Sequence, residues 1–399
     1  MQLNKQLLGV LLIGVLISVA AGAAGETGAV QEASQFTVIP LQAIEVTAST
    51  GEKPQSKVWF HAEHWWSVLP DATGTKLWRL DDTQWTDALP LSDAINTYAD
   101  AKRLGDLTHV LLFAGIQCEL VSLEYDSDEN MYRSWSKRPS PSSIVLDPGV
   151  EMATIDVDNS GRMWLASDAE VDINVRWSDP PYTDWSAPLT LASGVDEDDI
   201  CVVAAFPNGD VGVLWSNQNT RQFGFRMHAQ DAPPTAWSDD ETPASASALP
   251  IGDGIADDHL NCAIASDGTL YAAVKTSYDT EGYTKIGLLV RRPSGQWDDL
   301  YHVDDKGTRP IALLNERNGI ILVAYNLGNE IVYRGSSLDV IAFGPRKTLI
   351  KKEGARVNNV TSTKENFGDG IVILGSTGST AEGVQVGIKG ATQLFYGEN

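Results

Sequence analysis

Cations are scarce in this chain. Its 399 residues carry 29 Lys and Arg against 53 Asp and Glu, a formal net charge of −24. A phosphate backbone selects clustered Lys and Arg, so nucleic acid is not expected as a partner. An anionic membrane surface is not expected for the same reason. Cysteine is scarce too. Cys118, Cys201 and Cys262 are too few for a disulfide scaffold, and their number is odd. No Cys-x-x-Cys pair or Cys/His cluster suggests zinc, so they read as buried thiols, with a Cys201–Cys262 bridge left open. A Gly-x-Ser-x-Gly elbow is missing, as is any phosphate-binding glycine loop. No long amphipathic helix stands out. Hydrophobic residues nevertheless make up 43% of the chain, enough to bury a core, which argues against wholesale disorder.

One long apolar run is present, at the start. Leu7 to Ala24 is apolar or small, follows Lys5, and contains Ala21-Gly22-Ala23. A basic start, an apolar stretch and small residues at its end are the pattern of a secretory signal. Residues 1–23 therefore read as a cleaved leader and 24–34 as a flexible segment, with an uncleaved anchor as the alternative. The mature protein is expected to be secreted, extracellular or periplasmic, with no membrane association beyond the export signal.

From residue 35 onward the chain repeats. Trp85, Trp135, Trp185, Trp237, Trp297 and Phe343 recur roughly every fifty residues in similar local contexts. A second mark alternates with them, a glycine in a short polar turn between apolar runs. It occurs at Gly105, Gly161, Gly209, Gly268, Gly319 and Gly370. Asn-Gly and Asp-Gly between β-rich runs mark tight hairpins, because Gly accepts positive φ without steric cost. The flanking runs read as strands. Cys201–Phe206 and Val211–Trp215 surround one such turn, and Val171-Asp-Ile-Asn-Val175 alternates with period two.

Four short strands per unit of this length predict a blade of a β-propeller. First strands are expected near Lys57, Asp100, Glu151, Ile200, Leu260, Arg309 and Arg356. The fold class is therefore all-β, a single propeller over 35–399 with seven four-stranded blades, and six blades as the runner-up. Gln35-Phe-Thr-Val-Ile39 is placed to supply a last strand that closes the ring, which removes exposed sheet edges.

Third strands tend to end in arginine, as in Val175-Arg176-Trp177-Ser178-Asp179, which runs on to Trp185-Ser186-Ala187-Pro188. This resembles the Asp-box repeat of the sialidase-type propeller superfamily. The resemblance implies that the repeating Trp and Asp residues serve packing and turns, away from the ligand face. A narrower resemblance covers about two blades. Asp257-Asp258-His259-Leu260-Asn261, leading into Ser266-Asp267-Gly268, and the later Gly307-Thr308-Arg309-Pro310 are similar to segments of ulvan-lyase-like polysaccharide lyases.

In a propeller, loops leading into innermost strands share one face with the loops between second and third strands. That places Asp257, Asp258, His259, Asn261, Arg309, Arg356 and Asn358 around a central funnel. Second-to-third-strand loops add Lys275, Tyr278 and Tyr283. For a uronate lyase, Arg309 with Asn261 would offset the sugar carboxylate. His259 would remove the adjacent proton, and Tyr278 or Tyr283 would protonate the leaving oxygen. The alternative for His259 is a loop cap through Asp257 or Asp258. Asp156-Val-Asp158-Asn-Ser-Gly161 resembles the start of a calcium loop but lacks the distal glutamate, so no cofactor is expected, with calcium as the lesser alternative.

Three functions remain open: a non-catalytic binder of carbohydrate or acidic polysaccharide, a polysaccharide-cleaving enzyme (lyase before hydrolase), and a protein-interaction or adhesion scaffold. The binder is placed first, with a monomer expected. A sialidase is disfavoured, because no Phe-Arg-Ile-Pro segment begins the first blade.

Overall fold

The computed structural model describes residues 36–388 apart from Glu52. The expected leader, the 24–34 segment and the last residues lie outside the described residues. Seven antiparallel sheets follow one another along the chain as the blades of a ring. Their innermost strands are Val58–His61, Tyr98–Leu104, Ala153–Val157, Cys201–Ala205, Leu260–Ile264, Thr308–Asn315 and Asn358–Thr361. Each begins within about two residues of the position read from the glycine-turn rhythm. The six-bladed alternative is thereby excluded.

The ring is closed by its two ends. Phe36–Pro40 pairs with Thr380–Ile388, from Phe36 opposite Ile388 to Pro40 opposite Val384, as the outermost strand of blade 7. The first described strand of the chain thus covers the edge of the last, and no blade is left to drift from its neighbours.

Hairpin turns inside the blades follow the glycines. Gly161, Gly209 and Gly268 take φ of 87°, 89° and 87°, a region that costs other residues a Cβ clash. Blade 1 lacks this glycine and turns instead through Ala62 and Glu63 at φ 49° and 65°.

Two expectations need correction. Blade 4 has three regular strands rather than four. Its outer position is held by a single bridge between Phe225 and Glu241. Pro233, Pro234 and Pro243 flank that stretch and lack the N–H a ladder needs. Blade 2 splits its outer strand into Met131–Ser134 and Ser142–Val145, with Pro139 and Pro141 between them. The Trp-containing run of each unit reads from the repeat as its fourth strand, and there too the structure differs. Only Trp85 lies within a regular strand, while Trp135, Trp185, Trp237, Trp297 and Phe343 lie in the irregular stretches beside the outer strands. They fill the seams between blades. Trp237 meets Trp164 edge-on at 5.7 Å, and Trp297 meets Phe225 at 5.4 Å.

The hydrophobic core is distributed over these seams. Leu111, Leu120 and Trp135 of blade 2 pack on Ile155, Leu165 and Tyr182 of blade 3, and comparable clusters join the other neighbours. The cysteines belong to this packing. All three are buried free thiols, so no Cys201–Cys262 bridge exists. Burial pushes the Cys118 and Cys262 thiols up to about 12, which keeps them almost wholly neutral and therefore slow to react.

His109 is fully buried in the seam between blades 2 and 3, edge-on to Tyr182 at 4.9 Å and hydrogen-bonded to Ser122 at 2.7 Å. Burial, and then the charge of Arg138, push its pKa down to about 3. The folded imidazole is therefore neutral where the unfolded one is protonated. Its contribution to stability is complete above about pH 6.5 and is lost as the pH falls toward 3. The loss is at most about 1.4 kcal/mol per pH unit. A pH series of melting temperatures should show a smaller drop between neutral and acid pH for His109→Gln than for the parent. Parallel curves would show that His109 does not titrate in this way.

Candidate functional site

The inner strands of a ring run toward one axis, so the loops leading into them meet over its channel. The segment from Thr50 to Lys57, which leads into blade 1, lies across this mouth. Its residues Thr50, Gln55 and Lys57 are fully buried although none is apolar. Hydrogen bonds from four other blades explain this. Ser56 N–H donates to Asp100 of blade 2 at 2.9 Å, and the Gln55 amide to the Ala153 carbonyl of blade 3 at 2.9 Å. Asn261 of blade 5 donates to the Pro54 carbonyl at 3.1 Å, and Thr361 of blade 7 to that of Gln55 at 3.1 Å. A polar strap of this kind is stable in a buried channel only because its backbone finds these partners.

Lys53 is the charged centre of the strap. Its ammonium lies 2.8 Å from both Glu151 oxygens of blade 3 and 2.8 Å from Asp258 of blade 5, with Asp198 at 3.5 Å. Burial alone would lower its pKa, but the Asp258 and Glu151 charges prevail and hold it well above the usual lysine value. The residue sits at φ 44°, a strained conformation for a non-glycine, which these ion pairs hold in place.

Beside it stands the Asp257-Asp258-His259 segment, on the loop that enters blade 5. His259 is 5% exposed. Its Nδ1 lies 3.0 Å from Asp257 and also pairs closely with Asp258, while Nε2 faces the Thr308 hydroxyl at 3.4 Å. Lys275 and Ser277 donate to Asp257 at 2.8 and 3.0 Å. Burial would raise the Asp257 carboxyl, but its hydrogen bond with His259 and the charge of Lys275 hold it well below the usual carboxylate range. Asp257, Asp258 and His259 present possible metal-ligand atoms within 4.8 Å of one another. Lys53 and Lys275 already supply positive charge to these carboxylates, so the donor set does not fit an added divalent cation. The calcium-like loop is likewise taken up by protein donors. Asp158 accepts from Ser160 N–H and the Trp164 indole at 2.8 Å each, and Asp156 pairs with Lys102 at 2.6 Å.

The residues singled out in the sequence thus divide. Asp257, Asp258, His259, Asn261 and Lys275 form one connected network. Asn261 donates to the strap and accepts from Ala312 N–H at 3.0 Å, so it braces blades 5 and 6. Tyr278 stands apart. Its hydroxyl accepts from Leu249 N–H at 2.9 Å, and its ring belongs to the apolar seam between blades 4 and 5. Tyr283 is 40% exposed, and Arg356 is exposed. Arg309 is half-buried at φ 52°, in an irregularity of its strand, and its buried Nε has no hydrogen-bond partner among the described residues. Asn358 and Asn359 at the matching bulge of blade 7 have buried Oδ1 atoms in the same condition. Sequence reasoning missed Lys53. The usable signal was a lone Lys-Pro in a polar stretch just before the first blade of an acidic chain.

No family model matches the chain, and no curated protein is significantly similar to it in sequence. Solved structures are similar in fold. The WD40 domain of coronin from Toxoplasma gondii is 9% identical with a TM-score of 0.57, the match covering 89% of this chain and 86% of that one. Polysaccharide lyase Uly1 is 9% identical with a TM-score of 0.51, covering 84% of this chain and 90% of that one. At such identities the likeness establishes the propeller architecture, on which unrelated functions are built.

Removing the Lys53 charge leaves the Glu151 and Asp258 carboxylates crowded at the mouth. Lys53→Met should cost about 2–4 kcal/mol in chemical denaturation, somewhat under the ~3–5 kcal/mol for breaking a fully buried ion pair because Glu151 is partly exposed. A loss below about 0.5 kcal/mol would show the strap to be dispensable.

Proposed function

We propose that the protein is an exported, non-catalytic propeller that binds carbohydrate at the mouth of its channel, on the side formed by blades 6 and 7. The observation that carries this reading is the division of polar groups around the mouth. On the blade 3–5 side the carboxylates of Glu151, Asp257 and Asp258 are paired by Lys53 and Lys275, and what lacks a partner there among the described residues is acceptor oxygen, on Asp199 and on Gln55 of the strap. On the blade 6–7 side the Arg309 Nε and the Asn358 Oδ1 have no hydrogen-bond partner among the described residues. A guanidinium and an amide with spare capacity suit the carboxylate and hydroxyls of an acidic sugar.

A second reading, a polysaccharide lyase, is favoured by His259, whose contact with two carboxylates would orient and polarise an imidazole base. Against it stands Tyr278, whose hydroxyl is engaged in the blade seam, which leaves Tyr283 as the remaining expected acid.

Binding to a panel of acidic polysaccharides, with absorbance followed for unsaturated products, separates the two. The parent should bind without releasing such products. Arg309→Ala should weaken binding roughly ten- to hundredfold, as expected for a lost charged hydrogen bond, with its melting temperature nearly unchanged. Unaltered binding would reject Arg309 as the contact. Products formed by the parent and lost in His259→Ala would establish the lyase.

A further inference from the structure

The channel is blocked at the funnel end but hollow below the block. A cavity of about 360 Å³ lies under the strap, with Pro54 and Ser56 at its inner end. Its walls come from the far halves of the inner strands and run out to the hairpin turns at Asn159, Pro207 and Ser266. The cavity therefore belongs to the face opposite the funnel. Its volume falls in the range of small-ligand sites.

The chemistry of the wall is specific. Lys102 of blade 2 pairs with Asp156 of blade 3 at 2.6 Å. Lys364, from the first hairpin turn of blade 7, pairs with Asp100 at 2.7 Å. Each cation in the wall is thus matched by a carboxylate, and a charged guest would gain little net attraction for the water it gives up. A hydroxyl, which both donates and accepts, can add to such ion pairs without disturbing their charge. The Lys102 ammonium has three N–H donors, one of which is taken by Asp156. Leu104, Phe206 and Ala263 supply apolar surface in the same wall. Hydroxyl-binding groups beside apolar surface match a sugar ring, which has a polar rim and apolar faces.

We propose that this cavity is a second binding site, separate from the funnel, for a small neutral polyhydroxylated molecule of monosaccharide size. The proposal does not depend on the reading given for the Arg309 side of the mouth.

Cys262 lines the cavity, whereas Cys118 and Cys201 do not. It is thus a built-in reporter. The purified protein is labelled slowly with iodoacetamide at mildly alkaline pH, and each cysteine is followed by mass spectrometry. Glucose, galactose, mannose, xylose and myo-inositol are the neutral probes; glucuronate and glucosamine are their charged counterparts. At least one neutral probe should slow Cys262 labelling severalfold without changing Cys118 or Cys201. Lys102→Met removes the ammonium, and Ala205→Leu fills space while leaving the ion pair; each should abolish the protection. Arg309→Ala should leave it intact. The proposal is overturned if no neutral probe protects Cys262, if protection survives Ala205→Leu, if a charged counterpart protects better, or if Arg309→Ala removes the effect.

Discussion

Convergence of like charge at one axis is the constraint on which this structure turns. A chain with a net charge of −24 brings Glu151, Asp198, Asp257 and Asp258 from three blades to a single mouth. Two unit charges 4 Å apart interact by about 4 kcal/mol at the effective dielectric of a protein surface, so four carboxylates cannot gather there without cations. Lys53 and Lys275 supply them. The requirement explains the path of the strap, which carries Lys53 across the channel from blade 1 to blades 3, 4 and 5. Asn261 holds the strap and the next blade in the same place.

The same constraint separates fold from function. A ring of blades offers a funnel, and comparable rings serve polysaccharide cleavage in one similar structure and a WD40 domain in another. What a given chain does there depends on which polar groups its own residues leave unsatisfied. In this chain the carboxylates on the blade 3–5 side are paired internally, while the buried Nε of Arg309 and Oδ1 of Asn358 have no hydrogen-bond partner among the described residues.

Much of the architecture was legible in the sequence because it rests on local chemistry. Glycine turns are fixed by φ at single positions, and Gly161, Gly209 and Gly268 located three hairpins without any knowledge of tertiary contacts. Phe36–Pro40 was readable as the closing strand because seven units need a partner for the last edge. Blade 4 was misread at its outer strand, where prolines weaken a ladder that the repeat alone led one to expect. The site was less legible. His259 and Asp258 were recognisable as a group, since they adjoin in sequence and sit at a strand start. Lys53 was not, because its partners lie about 100, 145 and 205 residues away and only ring closure brings them together. Tyr278 lies in the blade 4–5 seam instead of joining the Asp257–His259 network, for a related reason. Loop position fixed its blade but not the direction of its side chain.

The central claim is that the strap is an integral plug of the channel mouth. Native-state hydrogen–deuterium exchange of the peptide spanning Thr50 to Lys57 tests it most directly. Slow exchange, close to that of the innermost strands, is expected, because Ser56 N–H is held by buried Asp100 and the segment is shielded from solvent. Exchange as fast as that of an exposed loop would mean that the mouth is open in solution, and would contradict it.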